Sequence, residues 1–321
     1  SEIGMAGEYQ ADVQLPGAVA IPARQLYDIV KSIEEREELF LEELENHWVE
    51  IHSGASHFRL VGIAEEDFPP LPAATNLKTF KVPVKTLQKL SERVLFCVST
   101  DDTRRNLGGI YCEAAKPSLL RMVATDGHRL AIAEESLEEI IPLKNGVLIP
   151  RKVFQEMKRI LTDTTLDEGL VTLGFSQSSG LVHYGNVTLT TQLIEGQFPD
   201  YSQVIPKSGL QTLKLRRKGF ADALKRVSLL SQGRAYGVQI KVQDNTLQLL
   251  AEDPELGKAQ ETLEVAYQNS PLNVGFNARY LLEVLALIHD ETVTFELNDE
   301  LSPGIVRPLE EKGFLGVVMP M

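Results

Sequence analysis

The sequence predicts an α+β fold built by repetition, with antiparallel sheets and amphipathic helices arranged in β-α-β-β-β units. Three observations carry this. Five stretches share one pattern, a short β-type run followed by an apolar stripe at helical spacing. The segments between them read as alternating strands separated by turn residues. A longer repeat of about 130 residues lies over the shorter one, and internal repeats of this kind decide an architecture before any local detail does.

The five stretches are AVAIPARQLYDIVKSI (18–33), TFKVPVKTLQKLSERV (79–94), GVLIPRKVFQEMKRIL (146–161), TLKLRRKGFADALKRV (212–227) and NVGFNARYLLEVLALI (273–288). Each opens with a run ending in Ile21, Val82, Ile149, Leu215 or Phe276. Pro22, Pro83 and Pro150 follow in three of them and suit a first helical turn, where the missing N–H has no partner to lose. The stripe is then Leu26, Ile29 and Ile33; Leu87, Leu90 and Val94; Phe154, Met157 and Leu161; Phe220, Ala223 and Val227; Leu281, Val284 and Ile288. This spacing puts one apolar face on each of five helices. After the helices come strand-like runs such as LGGIYCEAA, SLLRMVAT and HRLAIAEE, then LVTLGFS, LVHYG and VTLTTQL. Short consecutive strands favour antiparallel neighbours, which can give one face to helices and the other to solvent.

IAEEDFPPL (63–71) resembles LIEGQFPDY (193–201), so two units make one domain. Residues 1–15 precede the first helix and read as strand, like the tail of an earlier unit. Five units and a tail imply six, hence three similar domains with the first cut short: 1–76, 77–206 and 207–321. The boundaries fall in polar, Pro-bearing stretches near 70–77 and 202–210.

Charge is the next constraint. Lys and Arg number 32 against 45 Asp and Glu, a net charge of −13, which on its face argues against nucleic acid. The five helical segments contradict that average, with net charges of +1, +2, +3, +4 and 0. Together they carry +10 on 60 residues, leaving −23 on the other 261. Solvated faces of ordinary amphipathic helices would look similar. The repeat, however, places several such faces in equivalent positions, and a basic lining attracts phosphates without reading sequence.

Other classes recede. The two cysteines, Cys97 and Cys112, have no metal or redox spacing and suit a reducing, cytoplasmic compartment. No apolar run approaches the ~18 residues of a membrane span, no signal peptide opens the chain, and no cofactor motif is present. His47, His52 and His57 surround a predicted hairpin without needing to converge, so no metal site is expected. Thr125-Asp126-Gly127-His128-Arg129 is the best catalytic candidate, since an Asp beside a His could orient an imidazole. Asp-Gly between strand-like runs is first of all a hairpin turn. No enzyme is predicted.

At ATDGHRLA (124–131), FPDY (198–201), GFNARYLLEVL (275–285) and VVMPM (317–321) the chain resembles the bacterial DNA sliding clamps, the β subunits of DNA polymerase III. The resemblance runs in order through the whole sequence, and the combination of motifs is specific. It implies the DNA clamp fold, with three-domain protomers paired head to tail as a homodimer, helices lining a ring and sheets outside. It implies a processivity factor that encircles duplex DNA regardless of sequence and tethers the replicative polymerase, the clamp loader and other clamp-motif proteins.

The family's partner-peptide cleft maps here onto Leu107, Thr125, Gly127, His128, Arg129, Leu130, Pro199, Val204, Asn277, Tyr280, Leu301, Val317, Val318, Met319, Pro320 and Met321. Aliphatic residues and methionines would form an adaptable groove, with Tyr280, Asn277 and Arg129 as polar handles. Gln203 stands where an Arg is common and Ala235 where an aromatic can occur. The family's subunit seam maps onto Phe58 and Leu60 against Leu229 and Leu230. DNA-binding candidates are Arg104 and Arg105 in a loop matching a family contact loop. Arg24, Lys85, Lys89, Arg151, Lys152, Lys158, Arg217 and Lys225 on the helices complete the set. Three hypotheses remain: a sliding clamp, a peptide-binding scaffold of the same fold that does not encircle DNA, and an enzyme using Asp126 and His128.

Overall fold

The computed structural model describes residues 3–34, 37–70, 77–162, 169–206, 211–231 and 236–321. The units follow one another with the same internal order. The first region holds β1 (Ile3–Gly7), β2 (Val19–Ala20), α1 (Ala23–Ser32), β3 (Phe40–Glu43), β4 (Trp48–Ser53), β5 (Ser56–Val61) and β6 (Ile63–Ala64). Next come β7 (Lys78–Pro83), α2 (Val84–Leu95), β8 (Gly109–Lys116), β9 (Leu119–Thr125) and β10 (Arg129–Ser136). They are followed by β11 (Val147–Pro150), α3 (Arg151–Thr162), β12 (Leu170–Phe175), β13 (Ser179–Tyr184) and β14 (Val187–Gln192). The fourth unit is β15 (Gln211–Arg216), α4 (Arg217–Ser228), β16 (Gly237–Gln243), β17 (Thr246–Asp253) and β18 (Gly257–Glu264). The fifth is β19 (Leu272–Asn277), α5 (Ala278–Ala286), β20 (Thr292–Leu297), β21 (Gly304–Pro308) and β22 (Phe314–Val318).

The helices begin one residue later than the proline argument predicts. Pro22 and Pro83 are caps rather than first-turn residues, with extended ψ of 109° and 139°. The proline ring fixes φ near −60° in either conformation, so it closes the strand and the helix starts on the next residue.

Among the described residues every strand pair is antiparallel, and the strand before each helix from α2 onward crosses to its neighbour unit, whereas β2, before α1, pairs with β6 of its own region. β7 pairs with β12 and β11 with β8; β15 pairs with β20 and β19 with β16. Two units thus exchange a strand, and neither sheet is complete without the other. The buried stripes meet inside. Leu87, Leu90 and Val94 of α2 pack with Phe154, Met157 and Leu161 of α3, while Phe220, Ala223 and Val227 of α4 pack with Leu281, Val284 and Ile288 beside α5.

Sheets also run across the domain joints. β1 pairs with β14, from Ile3 opposite Thr191 to Gly7 opposite Val187. β10 pairs with β22, from Arg129 opposite Val318 to Ala133 opposite Phe314. The second pairing makes one eight-stranded sheet, β11-β8-β9-β10-β22-β21-β20-β15. The stretches expected as domain boundaries include residues 71–76 and 207–210, which lie outside the described residues.

Candidate functional site

Beside the joint between β10 and β22 lies a second apolar cluster to which both sides contribute. Leu107, Val123, Leu130, Ile132, Leu148, Phe198, Ile305 and Val317 form one buried cluster, distinct from the main core, with Val204 packed against it. Strand alternation explains why Val317 belongs there and Val318 does not: successive side chains face opposite ways, and Val318 faces the main core. The resemblance places Val318 in the cleft, whereas its side chain is buried in the main core. Phe198 and Ile305, which the resemblance did not name, belong to the same buried cluster.

The chain's last residues run along this joint. The Met319 N–H donates to the His128 carbonyl (2.9 Å), Pro320 bridges Phe276, and the Met321 N–H donates to the Gly275 carbonyl (2.9 Å). The terminal segment is therefore tied down on both sides, and the Met321 side chain stays exposed. Leu301, at 87% exposure, stands on the β20–β21 loop, while Pro199 and His128 are exposed at the rim.

The 125–129 segment is a hairpin turn. Gly127 has φ +89°, which glycine adopts without strain. Asp126 Oδ1 accepts the backbone N–H groups of His128 (2.9 Å) and Arg129 (3.1 Å), and Thr125 Oγ1 donates to the Arg129 carbonyl (2.7 Å). The Asp126 carboxylate is thus committed to backbone and to Arg129, not to the His128 imidazole.

The expected polar handles also have structural work. Asn277 Oδ1 caps α5 by accepting the N–H groups of Arg279 (2.9 Å) and Tyr280 (3.3 Å). Arg129 points inward, its guanidinium 4.5 Å from the Tyr280 ring centre and 5.1 Å from that of Phe96. Sequence spacing names these residues but carries no information on which way they turn. Gln203 Nε2 donates to Asp200 Oδ2 (3.0 Å), and Ala235 lies outside the described residues.

Both cysteines are buried, and removal from water pushes the thiol of Cys97 well up and that of Cys112 up to about 12. Thiolate chemistry at neutral pH is thereby suppressed. Tyr201 of the FPDY segment exchanges hydrogen bonds with Arg121 (2.8 Å) and with Glu113, fixing the linker to the second domain's sheet. His47 is bonded to Glu43 (2.9 Å), whereas His52 stacks between Phe40 and His57. The three histidines do not share one set of partners.

The basic candidates divide. Arg105, Arg151 and Lys152 line a single trench of about 980 Å3, together with Asp101, Asp102, Glu156 and Glu195. Arg24, Lys85 and Lys225 are exposed on their helices. Lys158 faces Glu92 across two helices (3.0 Å), and Arg217 Nε donates to the Asp290 carbonyl (3.1 Å). Arg104 ties two loops together, Nε on Asp101 (3.1 Å) and Nη1 on the Asp126 carbonyl (3.0 Å). Lys89 is held by Glu135 (2.5 Å) and Glu311 (2.7 Å), with its charge already matched. Glu311 also pairs with Arg93, and this set crosses the same joint. At the expected seam, Phe58 and Leu60 are half-buried on β5, Leu230 is half-buried and Leu229 is 61% exposed.

Interlocked repeats, exposed basic residues on the helices and a composite apolar cluster at the β10–β22 joint define a multidomain, repeat-built scaffold. The comparisons give the family. Models of the N-terminal, central and C-terminal domains of the DNA polymerase III beta subunit match residues 1–72, 81–200 and 202–321. The Beta sliding clamp of Pseudomonas putida is 32% identical over the whole chain, which covers 86% of it. That of Escherichia coli K12 is 32% identical over 306 residues, 95% of this chain and 82% of the relative. Among solved structures, Caulobacter crescentus pol III beta superposes with TM-score 0.93 at 32% identity, covering 100% of this chain and 86% of that one. The Bartonella birtlesii clamp bound to griselimycin gives 0.91 at the same identity and coverage. The chain belongs to the DNA polymerase III beta subunit family, the bacterial sliding clamps, which are non-catalytic processivity factors of DNA replication.

Proposed function

We propose that this chain closes a head-to-tail ring around duplex DNA and recruits the replicative polymerase and clamp loader, as cytoplasmic partners, through the surface at the β10–β22 joint. The domains on this reading are 1–76, 77–206 and 207–321. One observation supports the ring above others. At each joint the last strand of one domain's first unit pairs with the last strand of the next domain's second unit, as β1 does with β14 and β10 with β22. By the same rule β18 needs such a partner, and β5 is a last strand of the right kind. Both are sheet edges, β18 in β18-β17-β16-β19 and β5 in β3-β4-β5. Unpaired edges invite addition of a strand. In a ring of two copies, β18 of one meets β5 of the other, with Leu229 and Leu230 against Phe58 and Leu60.

A ring needs phosphate attraction but no base readout, because topology supplies the persistence. The basic helices and the trench at Arg105, Arg151 and Lys152 suit that role. Short partner peptides fit the groove walled by Leu130, Val204, Tyr280 and the Met319–Met321 segment, where a thioether adapts to several side chains. The decisive experiment loads the protein on nicked circular DNA. The expected result is retention at high salt and loss on linearisation; loss from the intact circle at the same salt would favour a scaffold that binds without encircling. Leu229→Glu with Leu230→Glu, which places charges in an apolar seam, should abolish retention by leaving folded monomers in sedimentation.

A further inference from the structure

We infer that Glu283 is a positioning residue for the peptide groove, acting through Arg129 to hold the Tyr280 wall across the domain joint. The inference rests on the peptide-cleft reading above and adds to it a residue outside the expected set.

Arg129 is a poor direct ligand. Its side chain is only 12% exposed, and its guanidinium lies between the rings of Phe96 and Tyr280. Two of its nitrogens donate hydrogen bonds and the third is ion-paired. Nε donates to Asp126 Oδ2 (3.0 Å), Nη2 to the Phe96 carbonyl (2.8 Å), and Nη1 pairs with Glu283. Asp126 is fixed in turn by the hairpin backbone, so the second-domain end of this chain of contacts is rigid. Glu283 stands on α5 in the third-domain region, where its other oxygen takes Arg279 Nε (3.0 Å). Tyr280, one helical turn earlier, meets Arg129 on its ring and stacks on His128, with ring centres 6.4 Å apart.

The groove therefore has one wall on β9–β10 and another on α5, and the Arg129–Glu283 pair is the charged link between them. Removing the Glu283 charge leaves Arg129 its bonds to Asp126 and Phe96, so the hairpin keeps its shape. What is lost is the tie on α5 and with it the fixed separation of the walls. A groove competent only part of the time binds more slowly in proportion to that fraction, without releasing faster.

The test measures association and dissociation of a fluorescein-labelled Gln-x-x-Leu-Phe peptide on the full chain. Glu283→Gln should lower the association rate about tenfold with dissociation unchanged, and Glu283→Asp should restore most of it. A general structural role predicts a lower melting temperature without this kinetic split. An unchanged association rate, or a loss confined to dissociation, overturns the inference. If Glu283→Gln does not fold, Glu283→Ala takes its place: an association rate about tenfold below that of the parent chain, with dissociation unchanged, supports the inference, and an unchanged association rate overturns it. A variant lacking Met319 to Met321 separates the two readings. If it binds normally, the groove reading falls and takes this inference with it; if it loses binding while Glu283→Gln does not, only the role of Glu283 fails.

Discussion

The two domain joints share a backbone device and differ in side chains. Each aligns two antiparallel strands over five facing pairs. At β1–β14, side-chain support comes from neutral groups, with Asn186 Nδ2 donating to the Glu8 carbonyl (2.6 Å) and Thr190 reaching the Gly4 carbonyl. At β10–β22, cationic and carboxylate groups cross the joint as Arg93–Glu311, Lys89–Glu311 and Arg129–Glu283. Helices with matching stripes differ as well. α1 and α2 carry matching stripes, yet α1 has no buried residue and α2 buries Val84, Leu87, Leu90 and Val94. The same backbone ladder is thus backed by neutral groups at one joint and by charged pairs at the other.

The sharpest test of this contrast removes one bolt from each joint. Arg93→Ala takes away a side chain that is 6% exposed, pairs with Glu311 and stacks on Phe314, 5.1 Å from its ring centre. Breaking a buried pair from one side costs about 3–5 kcal/mol, here at the low end because Lys89 still faces Glu311. Asn186→Ala should cost about 1 kcal/mol, as for a single neutral hydrogen bond. Equal losses in denaturant unfolding of the two variants would remove the distinction.

The helices give the second test. Leu90→Ala leaves a cavity in a packed core and should cost about 2–5 kcal/mol. Ile29→Ala on the equivalent stripe position of α1 should cost about 1 kcal/mol or less, because that side chain is only half-buried. A large loss at Ile29 would mean that α1 is covered in solution.

The smallest effect is in acid. Burial tends to raise the Glu311 carboxyl, but hydrogen bonds from Arg93 and Lys89 outweigh it and hold the group below its ordinary value. A depressed carboxylate contributes stability that is complete above its ordinary pKa and is lost as pH falls through the lowered one. Lys89 behaves oppositely: burial would lower it, but Glu135 and Glu311 raise it, so its contribution persists until strongly alkaline pH. Melting temperature should therefore be flat around neutrality and fall in acid below the ordinary carboxylate range. Glu311→Gln should flatten that fall; an unchanged acid limb would place the sensitive carboxylates elsewhere.

Much of this architecture is legible in the amino acids themselves, because periodicity is local. Leu87, Leu90 and Val94 specify a helix face whatever they pack against, and Asp126-Gly127 specifies a turn because glycine accepts φ +89° there. The repeat spacing even implies paired units. Residue type likewise marks the TDGHR hairpin and the methionine terminus as unusual. The strand exchange of β7 with β12 and β11 with β8 leaves no local trace, since either partner offers the same alternating pattern.

Tertiary structure decided the rest through direction and distance. Val317 and Val318 are equally apolar, yet the pleat sends one to the composite cluster and the other to the core. Lys85 and Lys89 are equally basic on one helix, yet only Lys89 meets two carboxylates. Arg129 reads from the sequence as a polar handle, and its ion-pair partner Glu283 lies 154 positions away, a charge complementarity that exists only once the chain has folded. The sequence determined which elements form and that they repeat, since propensity and periodicity act between near neighbours. Which faces are covered, and which charges are spent holding the domains together, depended on contacts between residues far apart in the chain.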